Sequence, residues 1–472
     1  PIAEERQRLG VLLRSVVRVI NVSDAPDYDQ PWQTHGPEQS NGSGAIVETA
    51  RGLRVLTNAH CVQDCVYAEV RRYGNARKYP AEVAAIGHEC DLALLKVEDA
   101  SFFEQVSPLQ VGALPHLSDS VSVCGYPIGG DRLSITKGIV SRIDLVRYAQ
   151  SQRRLLALQI DAAINSGNSG GPVFQNDQLV GVAFQSLDDA ESVGYVIAAP
   201  VIEHFLKDVE DGVYDGFPGL GVVTQKLESE AHRRSLGLRS QGRGVLITGV
   251  TYDSSAWGVL QEGDVILAVD GVEVASSGTV KLREGEIIDH SYVVSHRHVG
   301  ESASLQVFRD GKLLDCVVPM KAPNYLVAED RFDVKPTYFV YGGLLFVPLT
   351  RDYLKTWGDQ WWQHAPHDLM HLYEYGVVSP ELKEVVVLQK VLADRVNQGY
   401  HDMESVWIVA VNGVRVQSLA HLVEVVDGAE GDFVTFRASD GPVIVLDRAQ
   451  VASRIDGILD RFGVPSDRSP DL

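Results

Sequence analysis

The close succession of strand-like segments between residues 43 and 200 limits the fold of this 472-residue chain more than any other feature. Short runs of β-branched and apolar residues alternate there with turn residues, which is typical of strands in an all-β domain. The runs are Gly44–Val47, Arg54–Thr57, Tyr67–Val70, Ala81–Ile86, Leu92–Val97, Ser120–Gly125, Thr136–Val140, Leu156–Ile160, Pro172–Phe174, Val180–Phe184 and Gly194–Ala198. Eleven or twelve such strands suit two small Greek-key barrels. The sequence therefore predicts a mainly β region, followed by a short helix over Pro200–Glu210.

The regions on either side have a different character. Residues 1–20 carry apolar residues that predict a helical start and a strand at the end, and residues 21–42 are polar enough to predict a long loop. After a boundary at 217–219, short strands mix with a helix-prone segment, and Gly343–Phe346 echoes Gly219–Val222 as a weak internal repeat. The predicted domains are an N-terminal oligomerisation segment 1–20, a β domain 21–212, two related α+β modules 218–322 and 335–455, and a tail 456–472.

Composition excludes several classes of protein. The chain has 63 acidic and 42 basic residues and a formal net charge of −21, so it repels nucleic-acid phosphates and anionic lipid. No apolar run approaches the roughly 20 residues that span a bilayer. Five cysteines, an odd number, do not form the disulfide framework of a small secreted domain. We therefore expect no nucleic-acid partner and no integral membrane segment.

Three short segments carry chemistry. Ser169 lies in Gly167–Pro172, where flanking glycines allow a turn that exposes the hydroxyl and aims backbone N–H groups at one point. His60 follows one strand-like run and Asp91 precedes another. A serine nucleophile needs a base, and the base needs a carboxylate to orient it. The chain order His60, Asp91, Ser169 is one of the known orders of this triad.

These segments resemble a known protease family. The strings TNAHCV, CDLALLKV and INSGNSGGPVF match the three catalytic segments of the Deg/HtrA serine endopeptidases, which join a chymotrypsin-like double β-barrel to C-terminal PDZ domains. The resemblance covers nearly the whole chain. Within the family, Gly125–Asp131, Gln159–Asn165 and Gly463–Ser469 are most similar to the plant branch, and the ending most resembles its chloroplast members.

The resemblance implies a role for each matching residue. Ser169 is the expected nucleophile, His60 the general base and then acid, and Asp91 the group that orients His60. The oxyanion hole is expected at Gly167, Asn168 and Ser169, with the N–H groups of Gly167 and Ser169 as donors. The expected substrate pocket contains no acidic residue, so cleavage after a medium-sized apolar residue is expected rather than after Lys or Arg. Its members are Ile164, Phe184, Gln185, Ser186 and Leu187.

Further expectations concern the loops and the modules. Polar loops at 131–137, 147–154 and 185–192 are expected to switch the site between inactive and competent states. The loop of Gly219, Leu220, Gly221 and Val222 is the expected carboxylate-binding loop of the first PDZ module, although Val222 departs from the commonest form of that loop. The corresponding Tyr341–Phe346 fits less well, so the second module is expected to be architectural.

No cofactor and no metal site is predicted. His364, His367 and His371 contain an i, i+4 pair, but no carboxylate is arranged beside them as in a metalloprotease, so we interpret them as packed or solvated. The chain contains no phosphate-binding GxxxxGK[ST] motif and therefore no ATP motor. The leading interpretation is an ATP-independent endopeptidase that degrades unfolded or damaged proteins, assembled from trimers into a hexamer. A chloroplast location is expected by resemblance, with a bacterial periplasm or the nucleus as alternatives. The other interpretation is a PDZ scaffold or holdase chaperone whose protease domain is resting or inactive.

Overall fold

The computed structural model describes residues 2–127, 132–165, 167–186, 193–238 and 242–472. It divides into two compact units. One unit consists of Pro1–Ser23 and Pro37–Pro323, and the other of Asp24–Gly36 and Asn324–Leu472. No helix in the described ranges has both the length and the apolar character needed to cross a membrane.

The first unit begins with helix α1, Ile2–Leu13, and a six-stranded barrel. The strands are β1 Val16–Ser23, β2 Glu38–Thr49, β3 Gly52–Thr57, β4 Cys65–Arg72, β5 Tyr79–Gly87 and β6 Leu92–Lys96. They close in the order β1-β2-β3-β6-β5-β4. The interior is filled by β-branched and leucine side chains such as Val19, Ile46, Val55 and Leu95, all with no exposed surface. Such side chains pack well on a pleated surface, which favours strands at these short runs.

A second barrel follows a 3₁₀ turn at Ala100–Phe103. Its strands are β7 Ser120–Gly125, β8 Ser134–Arg147, β9 Arg154–Ile160, β10 Pro172–Gln175, β11 Gln178–Ser186 and β12 Gly194–Ala198. They close in the order β10-β11-β12-β9-β8-β7, and helix α2, Ala199–Asp208, follows with Pro200 in its first turn. The prediction of two β-barrels followed by a short helix is confirmed.

The predicted loop over residues 21–42 is too long at both ends. Strand β1 extends to Ser23 and β2 begins at Glu38, because the two strands pair antiparallel with Ser23 opposite Glu38 and Ile20 opposite Asn41. Residues such as Glu38 and Ser40 are polar and exposed, so local composition favours a loop while strand pairing makes them extended.

The first unit ends with a six-stranded sheet and a hairpin. The sheet has the order β13-β14-β15-β19-β20, with β16 paired to β15, and β17 pairs with β18. The elements are β13 Val222–Lys226, α3 Glu230–Ser235, β14 Val245–Val250, β15 Val265–Val269, β16 Val272–Glu273, β17 Thr279–Arg283, β18 Glu286–Asp289, α4 Ser291–Val294, β19 Ser302–Arg309 and β20 Lys312–Pro319.

The second unit contains a seven-stranded sheet in the order β21-β22-β23-β24-β26-β27, with β25 paired to β24. Its elements are β21 Phe339–Tyr341, β22 Leu344–Pro348, α5 Arg351–Lys355, α6 Trp361–His364, α7 His367–Tyr375, β23 Val386–Val391, β24 Val406–Val411, β25 Val414–Arg415, α8 Leu419–Asp427, β26 Phe433–Ala438, β27 Val443–Asp447 and α9 Arg448–Phe462, with a 3₁₀ turn at Arg395–Asn397. Residues 24–36 join this unit through hydrogen bonds from the Gln389 amide to the carbonyls of Tyr28 and Asp29, at 3.1 and 2.9 Å.

Candidate active site

His60 and Asp91 meet where two neighbouring strands of the first barrel end and begin. Strand β3 ends at Thr57 and β6 begins at Leu92, and the register places Thr57 opposite Ala93. The residues just outside the paired segments are therefore neighbours. Asp91 is buried at 1 % exposure, whereas the imidazole of His60 is 31 % exposed and open to a substrate.

The Asp91 carboxylate holds His60 at two points. Its Oδ2 lies 2.8 Å from His60 Nδ1, and its Oδ1 accepts a hydrogen bond from the His60 backbone N–H at 2.9 Å. The Asn58 amide donates to the Asp91 carbonyl at 2.9 Å. With Nδ1 as the donor toward the carboxylate, Nε2 is the ring nitrogen left to accept a proton. This is the geometry that a general base requires.

The charge of Asp91 also sets the protonation of His60. Burial by itself lowers the pKa of His60, but the Asp91 carboxylate and the Cys61 thiol raise it more, so the pKa stands well above its usual value. The pair therefore stabilises an imidazolium, the form that His60 takes after receiving a proton.

Ser169 lies on the turn between β9 and β10 of the second barrel, and the first barrel holds that turn. The N–H of Ser43 donates to the Ser169 carbonyl at 2.8 Å, and the Ser43 hydroxyl donates to the Gly167 carbonyl at 2.8 Å. The Thr57 hydroxyl donates to the Ser43 carbonyl at 2.7 Å. The Cys61 thiol, next to His60, lies 3.6 Å from the Ser169 carbonyl. Ser169 is therefore brought beside the His60 segment, although the described residues include no direct hydrogen bond between its hydroxyl and His60. Catalytic hydrogen bonds are often long in unliganded enzymes.

Two glycines are required for this turn. Gly167 and Gly170 have φ of 95° and 81°, in the left-handed region that glycine tolerates best. A Cβ on Gly170 would lie 2.1 Å from the Ser43 carbonyl oxygen. Asn168 is buried, and its N–H donates to the Asn165 carbonyl at 2.9 Å. Asn168 thus spaces the two expected oxyanion donors, Gly167 and Ser169, rather than offering its own N–H.

The predicted pocket residues are only partly described. Ile164 is buried against Gly194. A Cβ added at position 194 would lie 2.6 Å from the Ile164 side chain, so only a glycine leaves room for it there. Phe184 is buried with its ring centroid 4.5 Å from that of Tyr148. The backbones of Gln185 and Ser186 pair with Tyr195 and Gly194 on β12. The predicted pocket residue Leu187 lies outside the described residues. The same is true of parts of two predicted switching loops, namely residue 131 of the loop 131–137 and residues 187–192 of the loop 185–192.

The two predicted carboxylate-binding loops differ. In the first module, the carbonyls of Leu220 and Gly221 accept the N–H groups of Ala256 and Thr251 at 2.9 and 2.8 Å, and Val222 begins β13. Within the described chain, β14 is the only strand paired with β13, so the other edge is open. In the second module β22 has a strand on each side, because the chain's own β21 pairs with it.

Two residues that support the site lie outside the motifs identified in the sequence. Ser43 and Asn58 do not belong to the recognised triad, yet they bind the turn of Ser169 and the carbonyl of Asp91. The string Gly42-Ser43-Gly44 was an available signal for Ser43, since a serine between glycines in a strand marks a close backbone approach. No cluster of three or more His, Cys, Asp or Glu suited to a metal ion occurs among the described residues.

Comparison with known proteins gives two matching domain families. Residues 42–182 match the trypsin-like peptidase domain, and residues 327–471 match a PDZ domain. The chain is 40 % identical over 465 residues to Protease Do-like 2, chloroplastic, of Arabidopsis thaliana, covering 98 % of this chain and 75 % of that protein. It is 38 % identical over 455 residues to the same organism's Protease Do-like 4, mitochondrial, covering 96 % and 84 %. The solved structure titled HtrA-type protease AlgW with decapeptide shares the fold, with TM-score 0.51 and 23 % identity over 67 % of this chain and 99 % of that one.

Proposed function

The chain belongs to the Deg/HtrA family of serine endopeptidases, and from that premise we propose that it degrades unfolded or damaged proteins without ATP, through an acyl-enzyme. The observation that carries this proposal is the His60–Asp91 pair, with Oδ2–Nδ1 at 2.8 Å, beside a Ser169 turn that Ser43 holds. These contacts support the roles proposed for His60, Asp91 and Ser169.

The proposed reaction uses these groups in sequence. The Ser169 hydroxyl attacks the carbonyl carbon of the scissile peptide bond, while His60 Nε2 accepts the hydroxyl proton. The N–H groups of Gly167 and Ser169 stabilise the oxyanion, each donor contributing about 3–4 kcal/mol. His60 then gives its proton to the leaving amine, and the acyl group remains on Ser169. Water activated by His60 hydrolyses that ester and restores the serine.

The proposed substrate is an extended segment with a medium-sized apolar residue before the scissile bond. Ile164 and Phe184 are apolar and buried in the region predicted to form the pocket, and no carboxylate is predicted there to pair with Lys or Arg. Apolar side chains become available in unfolded proteins, which agrees with quality-control proteolysis.

We propose a trimer-based assembly, with a hexamer as the full particle. Helix α1 exposes Leu9 and Val11 at 40 % and 42 %, and β8 exposes Ile135 and Ile139 at 38 % and 39 %. A cavity of about 860 Å³ is lined by residues of both elements. Apolar surface of this kind is suited to cover by another subunit. We further propose a chloroplast location, on the strength of the similarity to the chloroplastic relative.

Casein hydrolysis by the native chain and by Ser169→Ala tests the function. We expect the native chain to cleave casein without ATP and Ser169→Ala to lose nearly all turnover. A mass shift of Ser169 with a fluorophosphonate probe checks the nucleophile. If the native chain prevents aggregation of unfolded casein but never cleaves it, the scaffold or holdase interpretation is correct instead.

A further inference from the structure

The turn that carries Asp91 has a strained backbone. Asp91 has a φ of 54°, in the left-handed region, and its N–H donates to the His88 carbonyl at 3.2 Å. A residue other than glycine keeps this conformation only when its surroundings hold it. The hydrogen bonds from His60 and Asn58 hold Asp91 from one side. The other side of the turn carries Glu89.

Glu89 binds two segments that lie outside the first barrel. Its Oε1 lies 2.9 Å from the Arg153 guanidinium, and both side chains are only 18 % exposed. Its Oε2 accepts the backbone N–H of Phe217 at 2.8 Å and the Tyr214 hydroxyl at 3.3 Å. Arg153 also donates to the Phe217 carbonyl at 3.0 Å. Glu89 is therefore the centre of a closed set of contacts, which we call the Glu89 clamp.

The same turn is bound a second time by the loop after β8. The Ser151 hydroxyl donates to the Glu89 carbonyl at 2.7 Å. The Gln150 amide lies 3.3 Å from His88 Nδ1 and donates to Gln63, just after His60, at 2.9 Å. One loop of the second barrel thus touches both first-barrel segments of the proposed triad.

We propose that Glu89 is a positioning residue for the His60–Asp91 pair, and that residues 214–217, which lead out of the protease barrels, set the position of Asp91 through it. The inference rests on the triad roles proposed above. Glu89 takes no part in the chemistry, because its carboxylate is occupied by Arg153, Phe217 and Tyr214.

Glu89 and Arg153 are both mostly buried, so the clamp is sensitive to the loss of either partner. Burial raises the pKa of Glu89, and Arg153 and the Phe217 N–H offset only part of that cost. Removing one partner of a buried ion pair leaves the other charge uncompensated, which is destabilising. Asp91 is two residues further along the chain, so a displacement of Glu89 is transmitted to it through the short backbone segment between them.

Gly216 offers a way to disturb the clamp from outside the barrel. It has a φ of 84°, and a Cβ there would lie 2.4 Å from Glu89 Oε2. Gly212, with a φ of 97°, is the matched control: the nearest atoms to its Cβ would be those of the Arg51 guanidinium, the end of a long flexible side chain. Both substitutions impose left-handed strain on an alanine, but only one displaces Glu89.

Hydrolysis of a short peptide p-nitroanilide with valine before the cleaved bond measures the effect. Because a displacement of about 1 Å costs up to roughly 100-fold in rate, we expect Gly216→Ala to lower kcat about 10- to 100-fold with KM changed less than about 3-fold. Gly212→Ala should keep kcat within about 2-fold. Equal kcat in the two variants, with both folded by circular dichroism, overturns the proposal.

The pH profile separates positioning from general destabilisation. Glu89→Gln weakens the hold on Asp91, so the pKa of His60 should fall and the acid limb of kcat/KM should move to lower pH. Asp264→Asn breaks another buried carboxylate–arginine pair, with Arg309 Nε at 2.6 Å, and should leave the limb in place. If Gly216→Ala fails to fold, Tyr214→Phe takes its place, because it removes only the hydroxyl that binds Glu89. We expect it to move the acid limb of kcat/KM to lower pH as well. An unmoved limb in both Glu89→Gln and Tyr214→Phe refutes the positioning role.

Ser169→Ala separates this inference from the proposed function. If Ser169→Ala stays active, the proposed triad is wrong. If it is inactive while Gly216→Ala and Glu89→Gln match the native enzyme, the triad holds and only the Glu89 inference fails.

Discussion

The two barrels contribute to the site in different ways. The direct partners of Asp91 come from its own barrel, since His60 and Asn58 both belong to the first. The Ser169 turn has support from both barrels. The N–H of Gly170 donates to Ala183 within the second barrel, whereas the carbonyls of Gly167 and Ser169 receive hydrogen bonds from Ser43 in the first.

The difference separates two parts of the site. The proposed acid–base pair, which we call the preformed part, has its direct hydrogen bonds within the first barrel, while the Glu89 clamp ties its turn to residues outside that barrel. The turn of Ser169 is hydrogen-bonded to both barrels, so we expect its conformation to depend on Ser43 and on the packing of the two barrels. We therefore expect changes at Asp91 to remove the chemistry, and changes at Ser43 to alter how well the turn is held.

The largest expected effect tests the preformed part. Asp91→Asn keeps the size of the side chain but removes the charge and one acceptor for His60. We expect kcat to fall about 10⁴-fold because His60 loses the correct tautomer and its stabilised imidazolium. Peptide p-nitroanilide kinetics measure this, with exposed Asp315→Asn as the control. A loss of less than about 10-fold would show that His60 does not depend on Asp91.

A smaller loss is expected when the contact between the barrels is cut. Ser43→Ala removes the donor to the Gly167 carbonyl and the acceptor of the Tyr126 N–H, both at 2.8 Å and both buried. We expect kcat to fall roughly 10- to 100-fold because the oxyanion turn is held less firmly. Thr49→Ala, which removes an exposed hydroxyl bond at 2.7 Å in the same barrel, should change kcat less than about 2-fold. Similar values for the two variants would mean that the second barrel holds its turn unaided.

This contrast also marks how far the sequence could predict the structure. Both barrels follow from local alternation of apolar and turn residues, and the triad follows from short strings around His60, Asp91 and Ser169. The supporting contacts are not local: Ser43 and Gly167 are 124 positions apart, and Glu89 and Phe217 are 128. No periodicity in a single sequence encodes such a pair. The same reason explains why local composition predicts a loop at the start of β2, where pairing with β1 makes the chain extended.

The pH dependence should show the electrostatic strength of the preformed part. His60 must be neutral to accept the proton, and its pKa is raised, so the acid limb of kcat/KM should lie above about 6.5, the usual value for histidine. Below that limb kcat/KM should fall about tenfold per pH unit.

The stability of the fold should depend on pH in the opposite direction. The charged His60–Asp91 pair contributes its full stabilisation below about pH 6.5, and that contribution is lost as the pH rises through the folded-state pKa of His60. Titrated kcat/KM and melting temperatures test both. The raised pKa of His60 is contradicted if the acid limb of kcat/KM lies below about pH 6.5. It is also contradicted if the stability that the His60–Asp91 pair contributes, measured as the difference from His60→Gln, grows as the pH rises.

The smallest effect on basal cleavage is expected at the loop before β13, because that loop belongs to neither barrel. Gly221 has a φ of 70°, and a Cβ there would lie 2.1 Å from Ser254 Cβ, so Gly221→Ala should distort the loop. Since the outer edge of β13 is open, we expect binding of a fluorescein-labelled peptide with a C-terminal valine carboxylate to weaken at least about 10-fold, while kcat on the short substrate changes less than about 2-fold.

The matched variant is Gly342→Ala, with a φ of 58°, at the corresponding loop of the second module. There β21 already pairs with β22, so a peptide finds no free edge and its affinity should not change. Fluorescence anisotropy measures both. If Gly342→Ala weakens the peptide and Gly221→Ala does not, the open edge of β13 is not the peptide site.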